Sequence, residues 1–349
     1  MQNLGEAHQD YPVARLRIHP KNQQLLTIAA DMDMVVLWGW NLRGEIRQLS
    51  TVGEGLRERP YTDAVYHPNG KWLILAGSGR PLEIRNIQDG TLVRRLGDED
   101  EETSGYDCLG LSASGRVVMA CSHLERSLDL YDLETGHCRK GIWQGRPMNV
   151  ASLHPEGAVL AVYAEEPRAE VLFGTLTDLE LSPIQRIIDT EPATSGMVFS
   201  PNGRLLAILS GEDDLTVAVR EFPSLKLKFQ TTIKREEGVA AASRPAERAV
   251  FSPDSLHLIC PSPNGHLIEL DTATGKELNR WHPHPQPVTS LDVHYRRGLL
   301  VSGCYDGQIK IWKFPYEGKL PSIRGSQVTR SFQALLGDLA APTLEAVTS

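Results

Sequence analysis

The chain has 349 residues, of which 41% are hydrophobic and 23% charged, so it can bury a core and is not disordered by composition. Its formal net charge of −8 argues against nucleic acid or an anionic membrane as a direct partner, because both are recognised by basic surfaces. The amino terminus lacks the apolar run of a signal peptide, and five widely spaced cysteines do not suggest a disulfide framework. These features are typical of a cytoplasmic protein.

One short phrase recurs seven times: an apolar run, then His or Ser, then a turn that usually holds Pro or Gly, then a second apolar run. The His or Ser positions are His19, His67, Ser112, His154, Ser200, Ser252 and His294, at intervals of 42 to 52 residues. Pro and Gly supply turn dihedrals, so each phrase predicts a β-hairpin. His and Ser side chains both bond turn backbone, so we expect them to cap their own hairpins.

A second turn follows several of these hairpins, at residues 86–90, 132–136 and 271–275, with alternating apolar and polar residues on both sides. Two hairpins give four short strands in each unit, with no helical stretch between them. Seven such units predict an all-β fold, a seven-bladed β-propeller of four-stranded antiparallel blades over residues 1–325. The alternative is a β-sandwich whose turns recur by accident.

The last unit, residues 282–314, reads HPHPQPVTSLDVHYRRGLLVSGCYDGQIKIWKF and resembles the WD40-repeat family. In that family a His before the first strand, a Ser or Thr on the second, an Asp in the next turn and a Trp on the third form a hydrogen-bonded tetrad. The resemblance implies that the tetrad here is His284, Ser302, Asp306 and Trp312. In the first unit it suggests Trp38, with His8 as the His one residue out of register.

A propeller needs a complete last blade, and two segments can supply its outer strand. Residues 319–324 are favoured, because few residues precede His8, and the amino terminus is the alternative. The tail, residues 326–349, is interpreted as disordered or as a short amphipathic helix, with a partner-docking helix as the alternative. Five of its apolar residues fall on one helical face: Val328, Phe332, Leu335, Leu336 and Leu339.

The sequence carries no recognised catalytic or metal-binding motif. His282 and His284 flank a proline, but without a nearby Cys or carboxylate they are interpreted as loop residues rather than metal ligands. We therefore expect no catalytic residue, no metal and no cofactor, and a protein that is not an enzyme. A lactonase-like propeller enzyme acting on a small molecule is the alternative.

In the WD40 family the partner face carries the linkers between blades and the loops between second and third strands. Acidic residues cluster at these positions and predict an acidic rim that suits basic groups on a partner, with a solvated loop as the alternative. Arg and Tyr are also enriched at binding hot spots. The partner-binding candidates are Arg80, Asp98, Glu99, Asp100, Glu101, Glu102, Glu165, Glu166, Asp213, Asp214 and Tyr305.

The predicted function is a non-enzymatic protein-interaction scaffold or adaptor. It would bind a protein or peptide on the loop face of the propeller, as a subunit of a larger complex. No direct contact with nucleic acid or with a membrane is expected, and the oligomeric state is left open.

Overall fold

A computed structural model describes residues 1–41, 43–53, 58–97, 105–142, 148–157, 159–165, 169–177, 179–187, 193–211, 213–235, 249–262 and 265–314. Within these ranges the chain forms 28 strands, arranged as seven four-stranded antiparallel sheets. The prediction of an all-β, seven-bladed propeller is confirmed.

The strands of each blade run outward from the centre of the ring in chain order, and blade seven alone combines the two ends of the chain. Blade one contains β2 (Val13–Ile18), β3 (Gln24–Ala29), β4 (Val35–Trp40) and β5 (Ile46–Val52); blade two contains β6 (Tyr61–Tyr66), β7 (Trp72–Gly77), β8 (Leu82–Asn86) and β9 (Leu92–Leu96); blade three contains β10 (Cys108–Leu111), β11 (Val117–Ser122), β12 (Ser127–Asp132) and β13 (Cys138–Ile142). Blade four contains β14 (Met148–Leu153), β15 (Val159–Ala164), β16 (Glu170–Thr177) and β17 (Glu180–Ile187); blade five contains β18 (Thr194–Phe199), β19 (Leu205–Ser210), β20 (Leu215–Glu221) and β21 (Leu227–Ile233). Blade six contains β22 (Val250–Phe251), β23 (His257–Pro261), β24 (Leu267–Asp271) and β25 (Glu277–Trp281); blade seven contains β26 (Val288–His294), β27 (Leu299–Cys304), β28 (Gln308–Lys313) and β1 (Gln2–His8).

Apolar side chains fill the seams between neighbouring blades. Among the described residues there are seven buried clusters, and each joins residues of two adjacent blades. The seam between blades seven and one, for example, packs Val301 and Ile309 against Leu16 and Trp38. A blade exposes two sheet faces when alone, so the closed succession of seams is what buries them.

The amino terminus closes the ring. Strand β1 pairs with β28 from Gln2 opposite Lys313 to His8 opposite Gln308, on the outer side of blade seven. The prediction that residues 319–324 supply this strand was wrong, because β1 already occupies that edge. Residues 315–349, which include the predicted tail, lie outside the described residues.

A close backbone approach holds β1 against blade one. Gly44 has a φ of 81°, and a Cβ on this residue would lie 1.5 Å from the carbonyl oxygen of Leu4. Only glycine allows this approach, because any side chain would displace the backbone of β1.

The turns divide into two faces of the ring. We call top face the side that carries the linkers between blades and the turns between second and third strands. The bottom face carries the turns between first and second strands and those between third and fourth strands. Every blade runs in the same order from its inner strand, so equivalent turns lie on the same face.

Six of the seven recurring His and Ser residues, all but His294, bond the backbone of their own hairpin turns on the bottom face, as predicted. In blade two, His67 Nδ1 accepts the backbone N–H of Asn69, while Nε2 lies 2.9 Å from the carbonyl oxygen of Gly115 in blade three. His154 makes the equivalent contact from blade four, because its Nε2 lies 3.0 Å from the carbonyl oxygen of Gly203 in blade five. A ring that accepts through Nδ1 donates through Nε2, so these two histidines also join neighbouring blades.

Candidate interaction surfaces

A buried chain of hydrogen bonds crosses blade seven. Trp312 Nε1 donates to Ser302 Oγ over 2.9 Å, and Ser302 Oγ lies 2.7 Å from His284 Nε2. The amide oxygen of Gln308 faces Nδ1 and can only accept, so Nδ1 carries the proton of the neutral imidazole and the serine hydroxyl donates to Nε2. That Nδ1 lies 3.0 Å from Gln308 Oε1. The structure thus brings together three of the four predicted tetrad residues.

Asp306 lies beside this chain rather than within it. Its Oδ1 accepts the backbone N–H of Gln308 over 2.9 Å and the thiol of Cys304. These bonds fix the turn between β27 and β28, which places Gln308 opposite His284. The resemblance implied that Asp306 belongs to the tetrad, whereas in the structure the Gln308 amide contacts the imidazole.

Blade one has the same arrangement with different residues. Trp38 Nε1 donates to Thr27 Oγ1 over 2.9 Å, and Thr27 Oγ1 donates to Gln9 Oε1 over 2.5 Å. Gln9 precedes β2 by the spacing that separates His284 from β26. The assignment of His8 to this position was wrong, because His8 belongs to β1 of blade seven.

Blade two replaces the tetrad by a tyrosine and an acid. Tyr61 OH donates to Glu83 Oε2 over 2.9 Å, and Arg85 Nε donates to the same oxygen over 2.7 Å. Arg85 pairs with Leu73 in the strand position that Trp312 holds in blade seven, opposite Leu300.

Blade three also has a tyrosine hydroxyl that donates to a buried carboxylate. Tyr106 OH donates to Asp129 Oδ2 over 2.7 Å and lies 2.6 Å from Tyr131 OH. The two tyrosine rings meet edge to face, with their centres 6.1 Å apart. The sequence signal for these clusters is a Tyr at or just before the start of the first strand together with an acid on the third strand, which the His–Ser–Trp pattern does not include.

The His284 imidazole makes blade seven sensitive to acid. Burial lowers its pKa to about 4, although the bond to Gln308 opposes that shift. Lys310 and His282 lower the pKa further, and Asp306 raises it. In the unfolded chain the group titrates near its ordinary value of 6.5. Above pH 6.5 His284 is therefore neutral in both states, and between pH 6.5 and 4 only the unfolded state takes up the proton.

We expect the His284→Gln variant to lose this part of the acid dependence. The wild type should lose up to about 3 kcal/mol of unfolding free energy through this group between neutral pH and pH 4. Glutamine keeps an acceptor for the Ser302 hydroxyl, as Gln9 does for Thr27 in blade one. Urea unfolding of both proteins across that range measures the difference, and parallel curves would contradict the assignment.

Arg80 is packed into the seam between blades one and two. Its guanidinium carbon lies 4.1 Å from the centre of the Tyr61 ring, and Nη2 lies 3.9 Å from Asp33 Oδ2. The side chain is only 13% exposed. The structure therefore gives this candidate a role between blades and little surface for a partner.

The acidic candidates differ in their surroundings. Asp214 Oδ2 lies 2.6 Å from Lys234 Nζ, and Asp213 Oδ1 lies 2.7 Å from Arg235 Nη1. Both carboxylates therefore form ion pairs with residues that follow the last strand of blade five. Glu165 is exposed after β15. The remaining acidic candidates, Asp98, Glu99, Asp100, Glu101, Glu102 and Glu166, lie outside the described residues.

Two tyrosines are exposed on the top face above the seam between blades seven and one. Tyr305 is 48% exposed and Tyr11 is 37% exposed. Their loops touch, because Gln9 N donates to Gly307 O over 3.1 Å, while Gln9 Nε2 donates to Tyr11 O over 2.9 Å. Tyr305 N donates to Pro287 O over 3.1 Å. We call Tyr11 and Tyr305 the tyrosine pair; it is held by backbone bonds that leave the two side chains accessible.

The part of the chain that the structure describes contains no group of three or more His, Cys, Asp or Glu side chains arranged to hold a metal ion. His284 is occupied in blade seven, and the His282 ring lies against His266 with the ring centres 4.8 Å apart. In the same described ranges, no helix has the length and apolarity needed to cross a membrane.

The architecture defines a class of protein: a seven-bladed propeller in which a Trp side chain donates to a buried hydroxyl within the blade. Blades one and seven contain this bond. A family model for the WD domain, G-beta repeat, matches residues 275–313, the segment that holds most of blade seven. The match of this segment, the seven-bladed propeller and a WD repeat-containing relative together support the WD40-repeat family for this chain.

Three plant proteins are similar to this chain. Protein ROOT INITIATION DEFECTIVE 3 of Arabidopsis thaliana is 34% identical over 68 residues, which cover 20% of this chain and 16% of that protein. WD repeat-containing protein VIP3 of Arabidopsis thaliana is 26% identical over 172 residues, which cover 47% of this chain and 49% of that protein. LEC14B homolog of Prunus armeniaca is 23% identical over 339 residues, which cover 78% of this chain and 67% of that protein. The alignments thus span half or less of the first two relatives. Propellers of this family are in general protein-interaction scaffolds.

Proposed function

We propose that the protein is a non-enzymatic scaffold or adaptor of the cytoplasm that binds a protein or peptide on its top face, as a subunit of a larger complex. The observation that carries this proposal is the tyrosine pair, because it offers two exposed aromatic rings on loops that are already ordered. A preordered surface loses little entropy when a partner binds, and tyrosine is enriched among residues that dominate binding energy.

A partner with basic groups fits this surface best. Asp10 is exposed next to Tyr11, so a Lys or Arg side chain could rest on a tyrosine ring and meet a carboxylate. Asp213 and Asp214 contribute less than an acidic rim requires, because Lys234 and Arg235 already neutralise them. The centre of the proposed binding surface is therefore the seam between blades seven and one rather than the acidic loops.

The double variant Tyr11→Ala with Tyr305→Ala tests this proposal. Affinity purification of the tagged protein from its host, followed by titration of the main partner, should show that the variant binds at least about tenfold more weakly. The matched control is Leu92→Ala with Leu278→Ala, since these leucines are 40% and 46% exposed but lie on outer strands. Equal affinity of the two double variants would contradict the proposal.

The lactonase-like alternative makes a different demand. It requires hydrolysis of small lactones or esters that is lost when metal is chelated. A screen of the purified protein with and without chelator separates that function from the scaffold.

A further inference from the structure

Three neighbouring turns of the bottom face carry unopposed positive charge. Residues 294–298 of blade seven, 19–23 of blade one and 67–71 of blade two contain no Asp or Glu. They contribute four basic side chains, all exposed, which we call the cationic arc: Arg296, Arg297, Lys21 and Lys71. None of the four forms an ion pair with a described residue.

The side chains of the arc lie close to the boundaries between blades. Lys21 Cδ lies 3.7 Å from the point where a Cβ on Gly70 would stand, so the lysine reaches from blade one onto the turn that ends in Lys71. Burial lowers the pKa of His294, and Arg297 and Arg296 lower it further. Burial likewise lowers the pKa of His19, to which Lys21 adds. The positive charge of the arc thus contributes to the lowered pKa values of both buried imidazoles, His19 and His294.

The flanking turns end the arc on both sides. In blade six, Asp254 Oδ1 accepts the Ser252 hydroxyl over 2.5 Å and introduces a negative charge. In blade three, Arg116 Nε lies 2.7 Å from Asp132 Oδ2, so its charge is neutralised. The arc is therefore bounded by a negative charge on one side and a neutralised arginine on the other, in a chain whose formal net charge is −8.

We propose that the cationic arc binds an acidic peptide segment of a partner protein. Four exposed cations within three turns can pair with a few carboxylates along an extended peptide. A nucleic acid or an anionic membrane would extend beyond the arc and meet the negative charge of the rest of the chain, so the peptide is favoured. This surface lies on the face opposite to the tyrosine pair, and the inference does not depend on the proposed top-face function.

Fluorescence anisotropy with a labelled peptide of alternating Glu and Gly residues tests the inference on the full chain. Two variants remove the arc, Arg296→Glu with Arg297→Glu and Lys21→Glu with Lys71→Glu. The matched control is Arg47→Glu with Lys228→Glu, which changes the net charge equally at exposed residues of the outer strands β5 and β21. Far-ultraviolet circular dichroism and thermal melting confirm that each variant is folded.

The wild type should bind the peptide at about 50 mM salt and lose most of that affinity at about 300 mM, because exposed charge pairs are screened. Each arc variant should bind about tenfold more weakly, and the control should stay within about twofold of the wild type. The Tyr11→Ala, Tyr305→Ala protein should bind the peptide as the wild type does.

Three results would overturn the inference. The first is that the control loses as much affinity as the arc variants, which would show a net-charge effect. The second is that the wild type fails to bind the peptide at low salt. The third is that a single-stranded RNA of equal length, or vesicles rich in anionic lipid, bind more tightly than the peptide. In that case the arc variants would also lose binding of the RNA or the vesicles.

Discussion

Deleting residues 1–8 should lower the free energy of unfolding by about 3–6 kcal/mol, because β1 is the fourth strand of blade seven. Its register places six residues opposite partners on β28, and each backbone hydrogen bond of such a ladder contributes about 0.5–1.5 kcal/mol. Leu4 and Ala7 also pack on the apolar cluster between blades seven and one. The deletion removes both contributions and leaves β28 as an open edge.

Chemical denaturation measures the loss, and size-exclusion chromatography detects the second consequence. An unpaired edge strand is a template for association, so the truncated protein should form oligomers as its concentration rises. The matched control removes residues 319–349, which contain the segment first predicted to close the ring. A large loss of stability in that control, with little in the amino-terminal deletion, would contradict closure by β1.

The sequence could not identify the closing strand, and the reason is physical. An outer strand is half exposed, so β1, with the sequence QNLGEAH, lacks the apolar alternation by which inner strands are recognised. What selects it is main-chain pairing with β28 and the contact between Leu4 and Gly44, neither of which depends on side-chain pattern. Residues 319–324 were preferred because only a few residues precede His8, which is short for a strand.

The blades themselves could be predicted, because their inner hairpins repeat a local turn chemistry. The His or Ser of six of the seven phrases bonds the turn that follows it, so the signal and its cause lie within a few residues. The tetrad was predictable only where its residue types survive. In blades two and three the same space holds Tyr61 with Glu83 and Tyr106 with Asp129, which satisfy the same need for buried hydrogen bonds with other chemistry.

The charged surface was harder to predict than the fold. Asp213 and Asp214 look free in the sequence, but strand pairing of β20 with β21 brings Lys234 and Arg235 beside them, some twenty residues further along the chain. Conversely, the four cations of the cationic arc are scattered over residues 21–297, and only the ring places their turns side by side. Sequence position therefore says little about which charges face each other in a propeller.

Replacing Asp63 by leucine should destabilise the protein by about 3–5 kcal/mol, because the Asp63 carboxylate joins three blades at the inner strands. It pairs with the guanidinium of Arg17 in blade one, and both residues are buried. Its second oxygen accepts the backbone N–H of Leu109 in blade three over 2.9 Å. Loss of the carboxylate leaves a buried cation without this partner and an inner-strand N–H without its acceptor.

A double-mutant cycle separates the buried charge from the loss of packing. Arg17→Met with Asp63→Leu removes both charges, so the double variant should unfold within about 2 kcal/mol of the wild type and above the Asp63→Leu protein. The matched pair is Arg235 with Asp213, which has the same residue types and a 2.7 Å contact, but whose aspartate side chain is 81% exposed. Substituting that pair should cost less than about 1 kcal/mol, because water screens it. If the losses of unfolding free energy in the two single variants simply add in the Arg17–Asp63 cycle, the two charges act independently. The inner strands would then depend on apolar packing alone to keep blades one, two and three in register.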